Sequence, residues 1–455
     1  MHAINASEVV NSTRLNSFHY LLVFWCSFIM MFDGYDLVIY GSVLPHVMSE
    51  WALSPGQAGL LGASSMAGMM FGAVGLGTQG DRFGRRRIIL FCVALFSLAA
   101  MANAFATGPV SFAVCRFVTG AGLGGVVPNL VTILKEMSPG SCRNRLINLM
   151  LSFFAVGGLL SGVAGIYLIP AFGWHSPFYV AGLSLLALPL LYKTLPESVA
   201  YLLRRNRQAE VDALLRRINP QHRPAGQVTY VLACDEVGRA GQTSSSALFG
   251  DGRALSTLML WLGFGMCMLM VYGLNTWLPK LMSNGGYPLG SSIVFLVVMN
   301  VGSLIGTLVS GVIADRWGCK STLVLFFALA ALSISLLGIQ PDVATLYGLL
   351  LVAGGSTVGC LSVIHTLAAD LYPAQVRSTG VSMAAAVGRC GAVAGPLMGG
   401  VLLSMSLPFG HNFLVFAAPG VIAVFAVLLV VQAKSTGSVA SDAMHRQAKA
   451  LQSRT

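Results

Sequence analysis

Twelve apolar stretches of about 20 residues recur along the chain, and at a rise of about 1.5 Å per residue each is long enough to cross a bilayer as a helix. They fall at residues 20–45, 56–77, 88–106, 109–134, 146–169, 174–194, 254–279, 289–313, 321–339, 343–369, 379–403 and 410–433. A backbone in hydrocarbon must satisfy its own hydrogen bonds, so the pattern predicts an all-α membrane protein with twelve transmembrane helices. Composition agrees. Charged residues make up 9% of the chain and apolar residues 55%, where a soluble domain carries roughly 25% charge. The first 17 residues hold Arg14 but no short apolar region followed by a small-residue cleavage site, so the first helix is expected to be retained and not removed as a signal peptide.

The basic residues orient the helices. Apart from Arg116 and Arg389, deep inside proposed helices, and Lys280, at the end of the seventh, the 27 lysines and arginines fall in the termini, in the even-numbered loops or at their edges. Those segments, both termini included, are expected to be cytoplasmic. The net charge of +11 is thereby a topology signal, with no nucleic-acid partner implied. Nine cysteines are scattered singly without a CxxC, which predicts neither a disulfide frame nor a metal site. Residues 195–253 form the one long polar stretch. Its "YLLRRNRQAEVDALLRRIN" predicts a short amphipathic helix lying at the membrane surface, while Pro224 and "GQTSSS" read as linker. The expected division is a six-helix bundle over 1–194, a cytoplasmic central loop over 195–253, and a second six-helix bundle with a short cytoplasmic tail over 254–455.

The two halves repeat one another. "GTQGDRFGRR" at 77–86 returns as "GVIADRWGCK" at 311–320, an offset of 234 residues. The same offset takes Glu136 to Asp370, Pro139 to Pro373, Arg143 to Arg377, Leu44-Pro45 to Leu278-Pro279 and Gly157 to Gly391. Agreement at separate anchors predicts two parallel repeats, an arrangement that puts a substrate site between the halves near the midplane.

Two carboxylates interrupt the first helix, in "MMFDGYDLVIYGSVLP" at 30–45. Each costs roughly 2.5–3.5 kcal/mol near the bilayer centre, so their presence asks for a function. Asp33 and Asp36 stand i and i+3 on one helical face, a candidate proton-binding pair. The competing reading is that one of them pairs with an arginine such as Arg116. Gly34 between them lets a neighbouring helix or a ligand come close. Arg116 lies roughly 10 Å into the fourth helix and Arg389 roughly 15 Å into the eleventh, and the repeat offset takes them to Leu350 and Ala155, which carry no charge. Asymmetric cations at membrane depth suit a ligand site better than scaffolding, carboxylate binding above all for Arg389. "GAGLGG" at 120–125 matches GxGxxG but follows no strand and lies in an apolar helix, so close helix packing is the reading, not dinucleotide binding. His175 and His365 stand alone and read as packing or surface residues.

"GDRFGRR" with its echo "ADRWGCK", and "RFVTGAGLGG" at 116–125, resemble the signature loops and fourth helix of the major facilitator superfamily over nearly the whole chain. "FDGYDLVIYGSVLP", together with "DLYPAQVRSTGVSMAAAVGRCGAVAGP" at 370–396, is similar to the aromatic acid:proton symporters of that superfamily, with benzoate transporters nearest. The resemblance implies alternating access between two six-helix bundles. It also implies uptake of a small aromatic carboxylate with protons, in a multi-pass protein of a bacterial inner membrane that works as a monomer without metal or cofactor. It places Arg389 in the cavity, and Tyr35, Tyr40, Asn275, Trp277 and Asn300 are candidate contacts for the ring and its hydroxyls. The loop motifs read as gates: Asp81, Arg82 and Arg85, echoed by Asp315 and Arg316, with Glu136–Arg143 and Asp370–Arg377 as two further breakable pairs. "LPESVAYL" at 195–202 has Val199-Ala200 where the family often has proline and arginine, and no salt bridge is assigned to it.

Two other classes compete. "GAVAGPLMGG" at 391–400 matches a glycine-proline pattern of proton-driven drug exporters, but those carry it in the fifth helix, where "AVGGLLSGVAG" here has no proline. A membrane sensor or enzyme would need a nucleophile–base pair, metal spacing or an appended domain, and none is legible.

Overall fold

Twelve helices long and apolar enough to span a membrane occur among the described residues of the computed structural model, namely 2–222, 228–231, 248–250, 252–372 and 376–431. In chain order they are α1 (Ser17–Glu50), α2 (Pro55–Gly75), α3 (Arg85–Asn103), α4 (Pro109–Met137), α5 (Arg143–Phe172) and α6 (Ser176–Thr194, with a 3-10 turn at Leu183–Ala187). The second set is α7 (Ala254–Asn284), α8 (Leu289–Trp317), α9 (Cys319–Leu337), α10 (Val343–Leu371), α11 (Arg377–Ser404) and α12 (Phe409–Leu429). The chain crosses back and forth, so the ends joined by the Arg-rich loops lie on one side. We call it the basic side, and its opposite the far side.

The repeat read from the sequence is a repeat of packing. Within the first bundle α1 lies on α5, α2 on α4 and α3 on α4; within the second α7 lies on α11, α8 on α10 and α9 on α10. The bundles meet along α2 with α11, its symmetry mate α5 with α8, and α1 with α7. Glycines permit the closest approaches. A Cβ at Gly120 or Gly124 of "GAGLGG" would collide with the carbonyl oxygens of Ser65 and Met69, so the motif is a helix-packing seam of α4 on α2. Gly34, between the two aspartates, is pressed in the same way against the Phe154 carbonyl of α5.

On the far side the bundles are shut against each other. Gly41 of α1 abuts the Asn275 carbonyl of α7, and Cβ atoms at Gly59 and Gly400 would stand 2.8 Å and 2.7 Å from the carbonyls of Pro396 and Pro55 across the α2–α11 seam. Nearer the basic side, wall residues Met69, Phe154, Met268, Tyr272 and Val393 are only half-buried around Leu37, Met66 and Ala392. The cleft between the bundles therefore opens to the basic side.

The central loop differs from the sequence reading. The amphipathic helix is Gln208–Ile218, after a shorter helix at Val199–Arg204. Its apolar face does not lie in the membrane surface. Val211, Leu214, Leu215 and Ile218 are buried with Val9 and Val10 of the N-terminal segment and with Met137 and Leu195 under the first bundle. A two-stranded parallel sheet, His2–Asn5 on Val228–Val231, completes this cap. Tyr230 donates to Asp212 at 2.6 Å and, with the 2.8 Å Arg216–Asp212 pair, holds that carboxyl below its usual range. Burying four apolar side chains against protein outweighs a partial dip into lipid headgroups, because the bundle end offers them complete removal from water. Pro224, "GQTSSS", Pro373 and the C-terminal tail lie outside the described residues.

Candidate substrate and proton site

Asp33 and Asp36 sit on one face of α1 but have different neighbours. Asp36 is captured: Arg116 of α4 donates from Nη1 to its Oδ1 at 2.7 Å, and the Ser65 hydroxyl donates to Oδ2 at 3.4 Å. Both side chains are buried, 1% exposed for Arg116 and 4% for Asp36. The Arg116 guanidinium also lies 5.4 Å over the Tyr40 ring. Asp33 has no hydrogen bond or ion pair among the described residues, and its nearest opposite charge is Arg389 of α11, in the other bundle. The Arg389 guanidinium is half-buried and likewise has no hydrogen-bond or ion-pair partner among the described residues. Of two arginines at membrane depth, one is thus neutralised inside its bundle, while the other has no such partner among the described residues and is coupled electrostatically to Asp33 of the opposite bundle.

Several sequence-derived contacts fall elsewhere. Arg116, expected as a substrate ligand, is closed off by Asp36. Tyr35 points away from the cleft, its hydroxyl donating to the Pro177 carbonyl of α6 at 2.9 Å. Tyr40 donates to the Ala58 carbonyl at 2.6 Å and is 1% exposed. Trp277 is fully buried, its indole N–H on the Pro396 carbonyl at 2.8 Å. Asn300 donates to Asn275 at 3.3 Å, both buried, and its amide oxygen presses on Gly158 of α5. These five belong to helix seams and to the far-side closure. Their polar atoms are already spent on backbone carbonyls or on each other, the normal fate of polar groups without water. Both bundles instead meet in an apolar cluster of Leu37, Met66 and Ala392 with Met69, Phe154, Met268 and Val393 packed against it, which no sequence motif announces.

At the basic end, Arg85 bridges Asp81, at 3.0 Å, and Glu136, which also accepts from the Ser198 hydroxyl at 2.6 Å. The expected Glu136–Arg143 pair is not formed. Arg143 instead donates to Asn11 at 2.7 Å and to the Ser138 carbonyl, because the N-terminal segment folds under the bundle within its reach. Glu197 of "LPESVAYL" makes no salt bridge among the described residues but accepts the Arg86 backbone N–H at 3.1 Å, capping the start of α3. That cap, and Ser198 on Glu136, are contacts the sequence reading missed. Arg82 is exposed beside the Phe83 ring.

In the second half the repeat offset puts Cys319 where Arg85 stands, and the cation is lost. Among the described residues Asp370 receives only the Cys319 thiol, at 3.8 Å, and Asp315 and Arg316 are exposed without ion pairs. The Arg377 side chain lies outside the described residues. Lys320 keeps the role of Arg86: it donates to the Leu428 and Val430 carbonyls at the end of α12, as Arg86 does to the Tyr192 carbonyl in α6. Since Asp81 is 61% exposed, its pair with Arg85 contributes little to stability. Asp81→Asn is expected to leave the melting temperature unchanged yet slow transport turnover. A drop in melting temperature would reduce the motif to a structural strut.

His365 packs edge-on against Phe264 at 4.8 Å and His175 stacks on Trp174 at 3.8 Å, both in packing roles. The eight described cysteines are free, and among the described residues no cluster of metal-ligating side chains occurs.

The sequence matches the Major Facilitator Superfamily over residues 26–306 and again over 260–453. It is 37% identical to the benzoate transport protein of Acinetobacter baylyi, covering 94% of this chain and 92% of the relative. It is 32% identical to the gallate transporter of Pseudomonas putida, over 93% and 94% of the two chains. It is also 32% identical to the 4-hydroxybenzoate transporter PcaK of Pseudomonas aeruginosa, over 94% and 95%. Among solved structures, the inward open xylose transporter XylE from E. coli superposes with a TM-score of 0.71 at 17% identity, covering 92% of this chain and 97% of that one, a likeness of fold alone. A mostly helical chain with twelve membrane helices among its described residues, repeated in two bundles and related over nearly its whole length to such carriers, is a multi-pass membrane transporter, not an enzyme, and belongs to the Major Facilitator Superfamily.

Proposed function

We propose that the protein takes up a small aromatic carboxylate, benzoate or a hydroxybenzoate, together with protons, by alternating access across a bacterial inner membrane with both termini cytoplasmic. The observation that carries the reading is the unpartnered pair of opposite charges, Asp33 and Arg389, on two bundles across an apolar cleft. An apolar wall accepts an aromatic ring, and a guanidinium with free donors grips a carboxylate through two parallel hydrogen bonds.

The same pair supplies a coupling device. While ionised, the Asp33 carboxylate competes with the substrate carboxylate for Arg389. A proton on Asp33 removes the competitor and frees the guanidinium, so substrate and proton bind together. The energetics favour this order. Bringing one anion into a negative interior costs roughly 2.3 kcal/mol per 100 mV, one proton cancels that charge, and a second makes the potential a driving force. Asp36, held by Arg116, braces α1 against α4. The gate residues Asp81, Arg85 and Glu136 with Ser198 hold the basic end of the first bundle in the open arrangement. A monomer suffices, since both halves of the site come from one chain. An exporter of cationic or neutral drugs is disfavoured by Arg389, which would repel the first and find no carboxylate on the second.

The test is a binding titration on purified protein. Arg389→Lys keeps the charge but loses the planar two-donor fork, so it is expected to fail almost as badly as Arg389→Ala, with roughly tenfold to hundredfold loss of benzoate affinity. Benzamide, the uncharged amide, should bind wild type and variants about equally poorly. Wild-type affinity for benzoate in Arg389→Lys would move the carboxylate site elsewhere.

A further inference from the structure

Three tyrosines stand in the transmembrane region near this cleft, and two of them are committed. Tyr35 and Tyr40 donate to the carbonyls of Pro177 and Ala58. Tyr272 of α7 is different. Its ring packs in the apolar cluster that both bundles build around Leu37, Met66 and Ala392, it is half-buried, and its hydroxyl makes no hydrogen bond among the described residues. Asp33 and Arg389 are both within electrostatic reach of that hydroxyl. A phenol O–H between the two bundles, with its ring fixed by packing and its donor unused, is a preorganised contact for a polar atom of the ligand.

The helix packing says which end of the ligand it meets. Gly391 presses on the Gly265 carbonyl, and Gly395 lies against Gly273, the residue after Tyr272. Tyr272 is therefore level with about residue 395 of the neighbouring parallel helix, six residues or roughly 9 Å farther toward the closed side than Arg389. A carboxylate gripped by Arg389 puts the aromatic ring between the two, with the ring position opposite the carboxylate directed at Tyr272.

Resting on the carboxylate reading above, we propose that Tyr272 is a specificity-determining residue, whose hydroxyl hydrogen-bonds a ring hydroxyl at the end opposite the carboxylate, so that the site prefers a ring-hydroxylated acid to the bare aromatic acid. The physical reason is the asymmetry of a desolvated polar group: closing the cleft over an unsubstituted ring strands the phenol, whereas a ring hydroxyl satisfies it. Asp33 and Arg389 do not remove the preference, because both act at the carboxylate end.

The experiment is calorimetric titration of the purified full chain with benzoate and with 4-hydroxybenzoate, in wild type, Tyr272→Phe and Arg389→Lys. Wild type is expected to bind 4-hydroxybenzoate about five- to tenfold more tightly than benzoate. Tyr272→Phe should erase that ratio by weakening 4-hydroxybenzoate while leaving benzoate unchanged or slightly tighter. Arg389→Lys should weaken both acids and keep the ratio. Equal weakening of both acids in Tyr272→Phe would put its hydroxyl on the carboxylate and overturn the proposal. So would an unchanged ratio. Failure of the wild type to bind either acid would overturn the carboxylate reading itself and this assignment with it, whereas loss of the preference alone leaves that reading standing.

Discussion

Asp33→Asn is expected to abolish accumulation of the aromatic acid against a gradient, while exchange of labelled for unlabelled substrate across the membrane continues. Asparagine cannot carry the proton, but it is close in shape to protonated aspartate and leaves Arg389 free. Substrate binding should then lose its pH dependence. In wild type, acidification protonates Asp33, releases Arg389 and tightens binding; in the variant the guanidinium is always free, so affinity stays at the acid-side value throughout. The measurement pairs uptake into vesicles, with and without an imposed proton gradient, with titrations at acid and alkaline pH. Full accumulation in Asp33→Asn, or a wild-type pH profile of binding, would remove Asp33 from the coupling step. The same substitution at Asp36 should behave differently, because Asp36 is the partner of Arg116 and does not face Arg389.

Arg116→Ala is expected to destabilise the protein by about 3–5 kcal/mol, the typical result of stranding one member of a buried ion pair. The pair is closed from solvent, with Arg116 only 1% exposed, so no water replaces the lost donor to Asp36. The double variant Arg116→Met/Asp36→Asn, which removes both charges and keeps the volume, should recover most of the loss. Thermal unfolding in detergent checks both. Substrate affinity in the double variant should fall less than tenfold, since neither residue lines the cleft. An Arg116→Ala protein as stable as wild type but unable to bind benzoate would make Arg116 a ligand after all.

The architecture was legible because a bilayer restricts what a chain can do. Length and apolarity alone determine a spanning helix. The 234-residue offset likewise determined the pairing of the two bundles, since helices with the same pattern of glycines and motifs pack in the same way. Charges at membrane depth announced themselves by their cost, and so Asp33, Asp36, Arg116 and Arg389 could be named from the sequence alone.

Only the tertiary structure decided which of those charges meet. Asp33 and Asp36 are equivalent by spacing, one turn apart on a single face. They are separated by what the neighbouring helices bring: Arg116 of α4 reaches Asp36, while Arg389 of α11 lies across from Asp33. Helical periodicity determines a face of one helix but carries no information about its neighbour. The same limit explains why Tyr35, Tyr40, Trp277, Asn275 and Asn300 proved to be seam residues. A polar side chain in a membrane helix has the same sequence signature whether it serves a ligand or a backbone carbonyl of the next helix. It also explains the basic-side cap, where an amphipathic helix legible in the sequence found its apolar partner under the first bundle and not in lipid. The sequence determined which residues had to be satisfied; the packing of twelve helices decided by whom, because each partner lies dozens to hundreds of residues away along the chain and only the fold brings it near.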